Sequence, residues 1–105
     1  SEAYIDHALQ YISSNYNHIK INDIATYIGI NRSYLTIIFK EKLEVSPQEY
    51  LINYRMRKAA ELIKSTNLSI QDISSRIGYE NQYNFSKMFK RVYGLSPRNY
   101  RDQTI

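Results

Sequence analysis

Apolar residues recur along this chain at helical spacing, and no stretch reads convincingly as a strand. Ile5, Ala8, Leu9, Ile12 and Tyr16 share one face of a helix expected over about residues 2–16. Asn22 and Asp23 place a capping side chain and a negative charge at the start of a short helix running to Ile28. Gly29 ends it, since glycine suits the left-handed conformation favoured at a helix C-terminus. Asn31 then caps the next helix, whose buried stripe is Leu35, Ile38 and Phe39. Ser46-Pro47-Gln48-Glu49 combines a capping serine, a proline for the first helical position and a glutamate placed for a capping box. From there to about Ser65 no Gly or Pro intervenes, and Ile52, Met56, Ala59 and Ile63 recur at i, i+4, i+7 and i+11, with Leu62 beside them. A helix of about 20 residues would be roughly 30 Å long. Ser69-Ile70-Gln71-Asp72 repeats the start signal, Gly78 repeats the turn, and a helix follows from about Asn81 to Tyr93 with Phe85, Met88 and Phe89 buried. Gly94 closes that helix, Ser96-Pro97 starts a short last one holding Tyr100, and residues 101–105 are expected to fray. The fold class is all-α, with seven helices.

The elements come twice. Residues 21–30, INDIATYIGI, return as IQDISSRIGY at 70–79, and FKEKLEVSPQEY at 39–50 returns as FKRVYGLSPRNY at 89–100. The offset is 49 up to the glycine and 50 after it, so the second copy has one added residue between Gly78 and Phe85. This divides the chain into a first subdomain at 1–45, a linking helix at 46–65 and a second subdomain at 66–105. Each copy alone is too small for a generous core, and together they make one domain. Two copies of one helical unit suit a bipartite reader of a periodic partner, of which DNA is the commonest.

Each copy holds a short helix, a glycine turn and a longer helix within about 20 residues, the helix-turn-helix arrangement. Ala25 and Ser74, each four residues before the glycine, are small where two such helices cross closely. The stretch Gly78-Tyr79-Glu80-Asn81-Gln82-Tyr83-Asn84-Phe85-Ser86-Lys87-Met88-Phe89-Lys90, then Gly94-Leu95-Ser96-Pro97 and Tyr100-Arg101, resembles the second helix-turn-helix of the AraC/XylS family of bacterial transcription regulators. Arg55, Ala59, Leu62 and Ile63 stand where that family's linking helix has similar residues. The resemblance covers essentially the whole chain. It implies two helix-turn-helix subdomains bridged by a long helix, each inserting its second helix into the DNA major groove, in proteins that activate or repress genes. It also implies a longer parent, in which a signal-sensing or dimerising domain precedes a domain like this one.

With the apolar stripes buried, the first copy turns Arg32, Ser33, Thr36, Ile37 and Lys40 outward, and the second Gln82, Tyr83, Ser86, Lys87 and Lys90. By position in the resembling family, Ser33, Thr36, Ile37, Gln82, Tyr83, Ser86 and Lys87 would face base edges. Glutamine can pair bidentately with adenine, lysine can donate to guanine O6 and N7, and Thr36 or Ile37 can pack on thymine methyls. Arg32, Lys40, Asn84, Lys90, Arg98 and Arg101 are the candidates for phosphate contacts. Ile37 departs from the long polar or basic side chain common at its position in the family. Arg55 is expected to brace the two units.

Charge sharpens the difference between the copies. The net charge is +4, but residues 1–49 carry 4 basic and 6 acidic groups, while residues 50–105 carry 10 basic and 4 acidic. A polyanion would feel the second half most strongly. Zero cysteines exclude thiolate metal sites and thiol nucleophiles and fit a reducing, cytoplasmic compartment. No stretch approaches the roughly 20 apolar residues of a membrane span. His7 and His18 lack patterned carboxylate partners, so neither metal nor cofactor is expected, and nothing supports an enzyme. The rival reading is a helical protein-interaction module, in which the first copy, with its exposed Ile37, docks on RNA polymerase or a sensor domain while only the second reads DNA.

Overall fold

Short-range caps set most of the helix boundaries. The computed structural model describes residues 2–103, and among these it has seven helices and no strand: α1 Glu2–Asn15, α2 Ile21–Ile28, α3 Arg32–Leu43, α4 Pro47–Ser65, α5 Ile70–Arg76, α6 Gln82–Tyr93 and α7 Pro97–Gln103. Asn31 and Asn81 cap α3 and α6, their Oδ1 atoms accepting the backbone N–H of Tyr34 at 2.8 Å and of Asn84 at 3.0 Å. Ser69 Oγ accepts from Asp72 at 3.0 Å, and Ser46 and Ser96 accept from Glu49 and Asn99, both at 3.1 Å. Each bond satisfies one amide that a helix N-terminus otherwise leaves without a partner. Glu49 closes its box on the serine hydroxyl, which donates to its Oε1 at 3.4 Å.

The start of α2 differs from expectation. It begins at Ile21, before Asn22, and the flanking residue is Lys20, whose backbone N–H is accepted by Asp23 Oδ2 at 2.8 Å. Beginning there puts Ile21 on the buried face with Ile24 and Ala25. Asn22 is left exposed inside the first turn, and Asp23 caps backwards.

The turn after α2 is made by two carbonyls. Ala25 accepts the N–H of Ile30 at 3.0 Å and Thr26 accepts that of Gly29 at 3.2 Å, with Gly29 at φ +80°. After α5 the same bonds recur 49 residues on, from Tyr79 to Ser74 at 2.9 Å and from Gly78 to Ser75 at 3.2 Å. This is the six-to-one, five-to-two pattern of a Schellman turn. Since Ile30 matches Tyr79 and Asn31 matches Asn81, the added residue of the second copy is the exposed Glu80. Ala25 is 4% exposed and Ser74 1%. The serine hydroxyl donates to the Tyr79 carbonyl at 3.0 Å, so burying it orphans no donor.

The chain divides into two compact units, Ser1–Ile52 and Asn53–Ile105, and the division runs through α4. In the first, α1 packs on α2 and α3, and Ile5, Ala8, Ile12, Ile24, Leu35, Ile38 and Phe39 form the core. Leu9 and Tyr16, expected in the α1 stripe, are only half-buried. In the second, α6 packs on α5 and α7 around Met56, Ala59, Ile63, Ile73, Ile77, Phe85 and Phe89. Both α1 and α2 pack on α3, where Ile38 is buried; its counterpart on α6, Met88, expected in the core, is half-buried. Edge-on aromatic pairs recur with the repeat, Phe39–Tyr50 at 5.9 Å and Phe89–Tyr100 at 5.3 Å between ring centres, both at 75°.

Arg101, expected at a phosphate and at the edge of a frayed tail, lies within α7 and is tied down. Its Nε, Nη1 and Nη2 donate to the carbonyls of Ile63 at 3.1 Å, Leu68 at 2.8 Å and Thr66 at 3.3 Å. These belong to the end of α4 and the segment leading into α5, where helical carbonyls lack internal partners. The last two residues, 104–105, lie outside the described residues.

Two expectations follow from this local chemistry. Glu44, at φ +63°, ends α3 in the left-handed region, where the second copy has Gly94 at φ +81°. Glu44→Gly should raise the free energy of unfolding in urea by about 0.5–1 kcal/mol, and Gly94→Ala should lower it by about 1 kcal/mol. A Cβ at Gly94 would meet nothing within 4 Å, so that loss is a backbone effect. Arg101→Ala should cost about 2–3 kcal/mol in the same measurement, and Arg101→Lys should not restore it, because one ammonium cannot reproduce the three-way guanidinium fork.

Candidate nucleic-acid interface

The caps at Asn31 and Asn81 start α3 and α6 directly after the turn, so the first two turns of each helix carry the outward side chains. Exposure repeats with an offset of 50: Leu35 and Phe85 are buried, Thr36 and Ser86 half-buried, Ile37 and Lys87 exposed. Arg32 and Gln82, Ser33 and Tyr83, and Lys40 and Lys90 are exposed pairs on the same plan. Both helices thus expose the expected side chains at matching positions, on a common scaffold with different chemistry.

On α3 the face is thin in hydrogen-bonding capacity. Ile37 is 51% exposed, an unusual place for a large apolar side chain. Thr36 spends its hydroxyl on its own helix, donating to the Arg32 carbonyl at 3.1 Å, which leaves its methyl and Ile37 as an apolar surface. Ser33 is an exposed hydroxyl, and Tyr34, exposed at 38%, sits edge-on to Tyr4 at 6.0 Å. Arg32 and Lys40 flank this surface in sequence.

On α6 the face is polar and basic. Gln82, Tyr83 and Lys87 are exposed, and the Lys87 Nζ lies 5.3 Å from the Tyr83 ring centre. Gln82 and Ser86 line a groove of about 590 Å³ with Ser69, Ile70 and Gln71 of α5 and Ser96, Pro97, Arg98 and Arg101 of α7. The groove therefore brings together two expected base readers and the expected phosphate ligand Arg98. Asn84 is exposed, although its backbone N–H is taken by the Asn81 cap. Among the described residues no carboxylate lies within salt-bridge reach of Lys40, Lys87, Lys90 or Arg98, so these charges are not neutralised internally. The Arg101 side chain borders the groove, but its guanidinium is engaged with three carbonyls.

Sequence reasoning left Ser69 and Gln71 out of this site. One signal was available: Gln71 is the counterpart of exposed Asn22, a polar position kept in both copies at the start of the first helix of the motif. Arg55 is half-buried, and its electrostatic partner Tyr79 belongs to the turn of the second unit. Burial lowers the pKa of the guanidinium and the Tyr79 interaction raises it; burial raises that of the Tyr79 phenol and Arg55 lowers it. No group of His, Asp or Glu among the described residues could hold a metal ion, and no described helix is long and apolar enough to cross a membrane.

Comparison with known proteins places this geometry. Residues 24–103 match the model of a helix-turn-helix domain family. The chain is 41% identical over 98 residues to the lactose operon transcription activator of Staphylococcus xylosus, covering 92% of this chain and 35% of that protein. The fold matches the C-terminal domain of AraT, a response regulator from Geobacillus stearothermophilus, with a TM-score of 0.92 at 36% identity, covering 94% of this chain and 84% of that one. It matches an AraC-type regulator from Chromobacterium violaceum with a TM-score of 0.89 at 27% identity, covering 98% and 93%. The chain spans about a third of the length of the curated relatives it matches. With two helix-turn-helix units, matched exposed faces on α3 and α6 and these relatives, the chain belongs to the AraC/XylS family of bacterial transcription regulators, which is not a class of enzymes.

Proposed function

We propose that this domain binds double-stranded DNA sequence-specifically, with α3 and α6 entering adjacent major grooves and α6 as the dominant reader. The observation that carries the proposal is the pair of matched, exposed faces whose chemistry differs. α4 has 19 residues, which makes it about 28 Å long, comparable with the roughly 34 Å between successive major grooves. One chain would then read a non-palindromic site without dimerising.

Each candidate takes a role by its chemistry. Gln82 reads adenine through N6 and N7, Lys87 reads guanine through O6 and N7, and Ser86 and Ser33 add single hydrogen bonds. Tyr83 faces the bases beside Lys87. Thr36 and Ile37 contact thymine methyls, so the first unit reads by apolar contact. Arg32, Lys40, Asn84, Lys90 and Arg98 hold phosphates. Arg101 is dropped from that set and becomes a brace. In the parent protein the domain would act in the bacterial cytoplasm as part of a regulator, and operon activation fits the activator among its relatives. An N-terminal sensor or dimerising domain and RNA polymerase are the proposed protein partners. Exposed Ile37 favours one second reading, in which α3 docks on such a partner and only α6 reads DNA.

Hydroxyl-radical footprinting on the duplex that this chain selects from a random library separates the two. Protection of the backbone sugars flanking two adjacent major grooves is expected, whereas protection flanking only one would favour the second reading. Gln82→Ala and Lys87→Ala should each cost about 1–3 kcal/mol at one base pair and relax preference there, while Lys90→Ala should weaken all sequences alike and lower the salt slope by about 1. If the Gln82→Ala, Lys87→Ala double variant bound the best site as tightly as the parent, α6 would not be the reader. Binding that ignores salt would remove the phosphate assignments.

A further inference from the structure

The exposed face of α6 carries a pair that α3 lacks. Tyr83 is 69% exposed, so core packing does not explain its ring, and the ammonium of Lys87 one helical turn later lies 5.3 Å from the ring centre. The residues at the same places on α3, Ser33 and Ile37, offer neither a π face nor a cation. An exposed lysine samples many rotamers of its four-carbon stem, and ordering that stem opposes any contact it makes. A cation over an aromatic face has already given up part of that freedom. Contact with a π face also leaves N–H donors of the ammonium for a base edge, because the ring holds the charge without needing all three.

We infer that Tyr83 is a positioning residue for Lys87: its ring holds the ammonium ready, so that the two side chains discriminate one guanine as a coupled unit and not as two independent readers. The inference rests on α6 reading bases, as proposed above. It also supplies a physical reason for unequal copies, since the second face is preorganised and the first is not.

A double-mutant cycle tests it, using the 105-residue chain with Tyr83→Leu, Lys87→Met, the two combined, and Tyr83→Phe, on the selected duplex and its single-base-pair variants. Lys87→Met identifies the base pair at which guanine preference is lost. At that pair Tyr83→Leu should reduce discrimination about 2- to 5-fold, and Tyr83→Phe, which keeps the π face, should hold it within a factor of about two. In the Lys87→Met background Tyr83→Leu should change nothing further there. Additive effects, or improved discrimination in Tyr83→Leu because the ring had been competing with the base, would overturn the coupling and leave α6 as a reader. No change of base preference in Lys87→Met at any position would overturn both. Circular dichroism and thermal melting check that every variant is folded, as expected for exposed positions.

Discussion

Each unit depends on one backbone constraint, the carbonyl of Ala25 or Ser74 accepting the amide of Ile30 or Tyr79 across a left-handed glycine. That bond ends the first helix of the motif and fixes the direction in which the chain leaves it. The residue that carries the accepting carbonyl is small in both copies, in keeping with the burial of positions 25 and 74. Asparagine caps at 31 and 81 then start the second helix within three residues of the turn. The faces of α3 and α6 are therefore aimed by the turn, and the side chains on them are free to vary.

That separation of scaffold from surface accounts for how the copies have diverged. Of the buried pairs, Ala25 and Ser74 keep a small size, Phe39 and Phe89 keep the same ring, and Leu35 and Phe85 keep apolar character. The exposed pairs Arg32 and Gln82, Ser33 and Tyr83, and Ile37 and Lys87 keep nothing but position. Glu80 falls between the turn and the cap, where an added exposed residue disturbs neither. Even Glu44, at the left-handed position filled by glycine in the second copy, carries a strain of only about 1 kcal/mol, small enough for a packed unit to absorb.

What could be read from the sequence was what acts over a few residues. The caps at Asn31, Ser46 and Ser69 join residues three positions apart, and the faces of α3 and α6 follow from helical periodicity. The start of α2 was misplaced because a buried face outweighed a capping asparagine: Ile21 belongs to the core, so the helix begins before Asn22. The carbonyl contacts of Arg101 escaped the sequence reading for the opposite reason. Its carbonyl partners lie 33–38 residues away, and no local pattern marks an arginine as a brace for another helix's end. The groove lined by Gln71, Gln82 and Arg98 is also non-local, although the Tyr83–Lys87 contact at i, i+4 was within reach of sequence reasoning.

Charge and chemistry then divide the proposed work between the units. Long-range attraction to phosphates would belong mainly to the second, whose cations Lys87, Lys90 and Arg98 are left unneutralised among the described residues. Apolar contact by Ile37 or the Thr36 methyl has no long range; it contributes only when surfaces touch and water leaves. A first unit of this kind adds little to encounter and most to the lifetime of a correctly placed complex. In the proposed complex, a second unit with cationic and bidentate groups would govern both encounter and base choice. Two copies of one fold can thus serve one binding event through different physics, because the turn that builds them constrains the backbone and leaves the exposed side chains open.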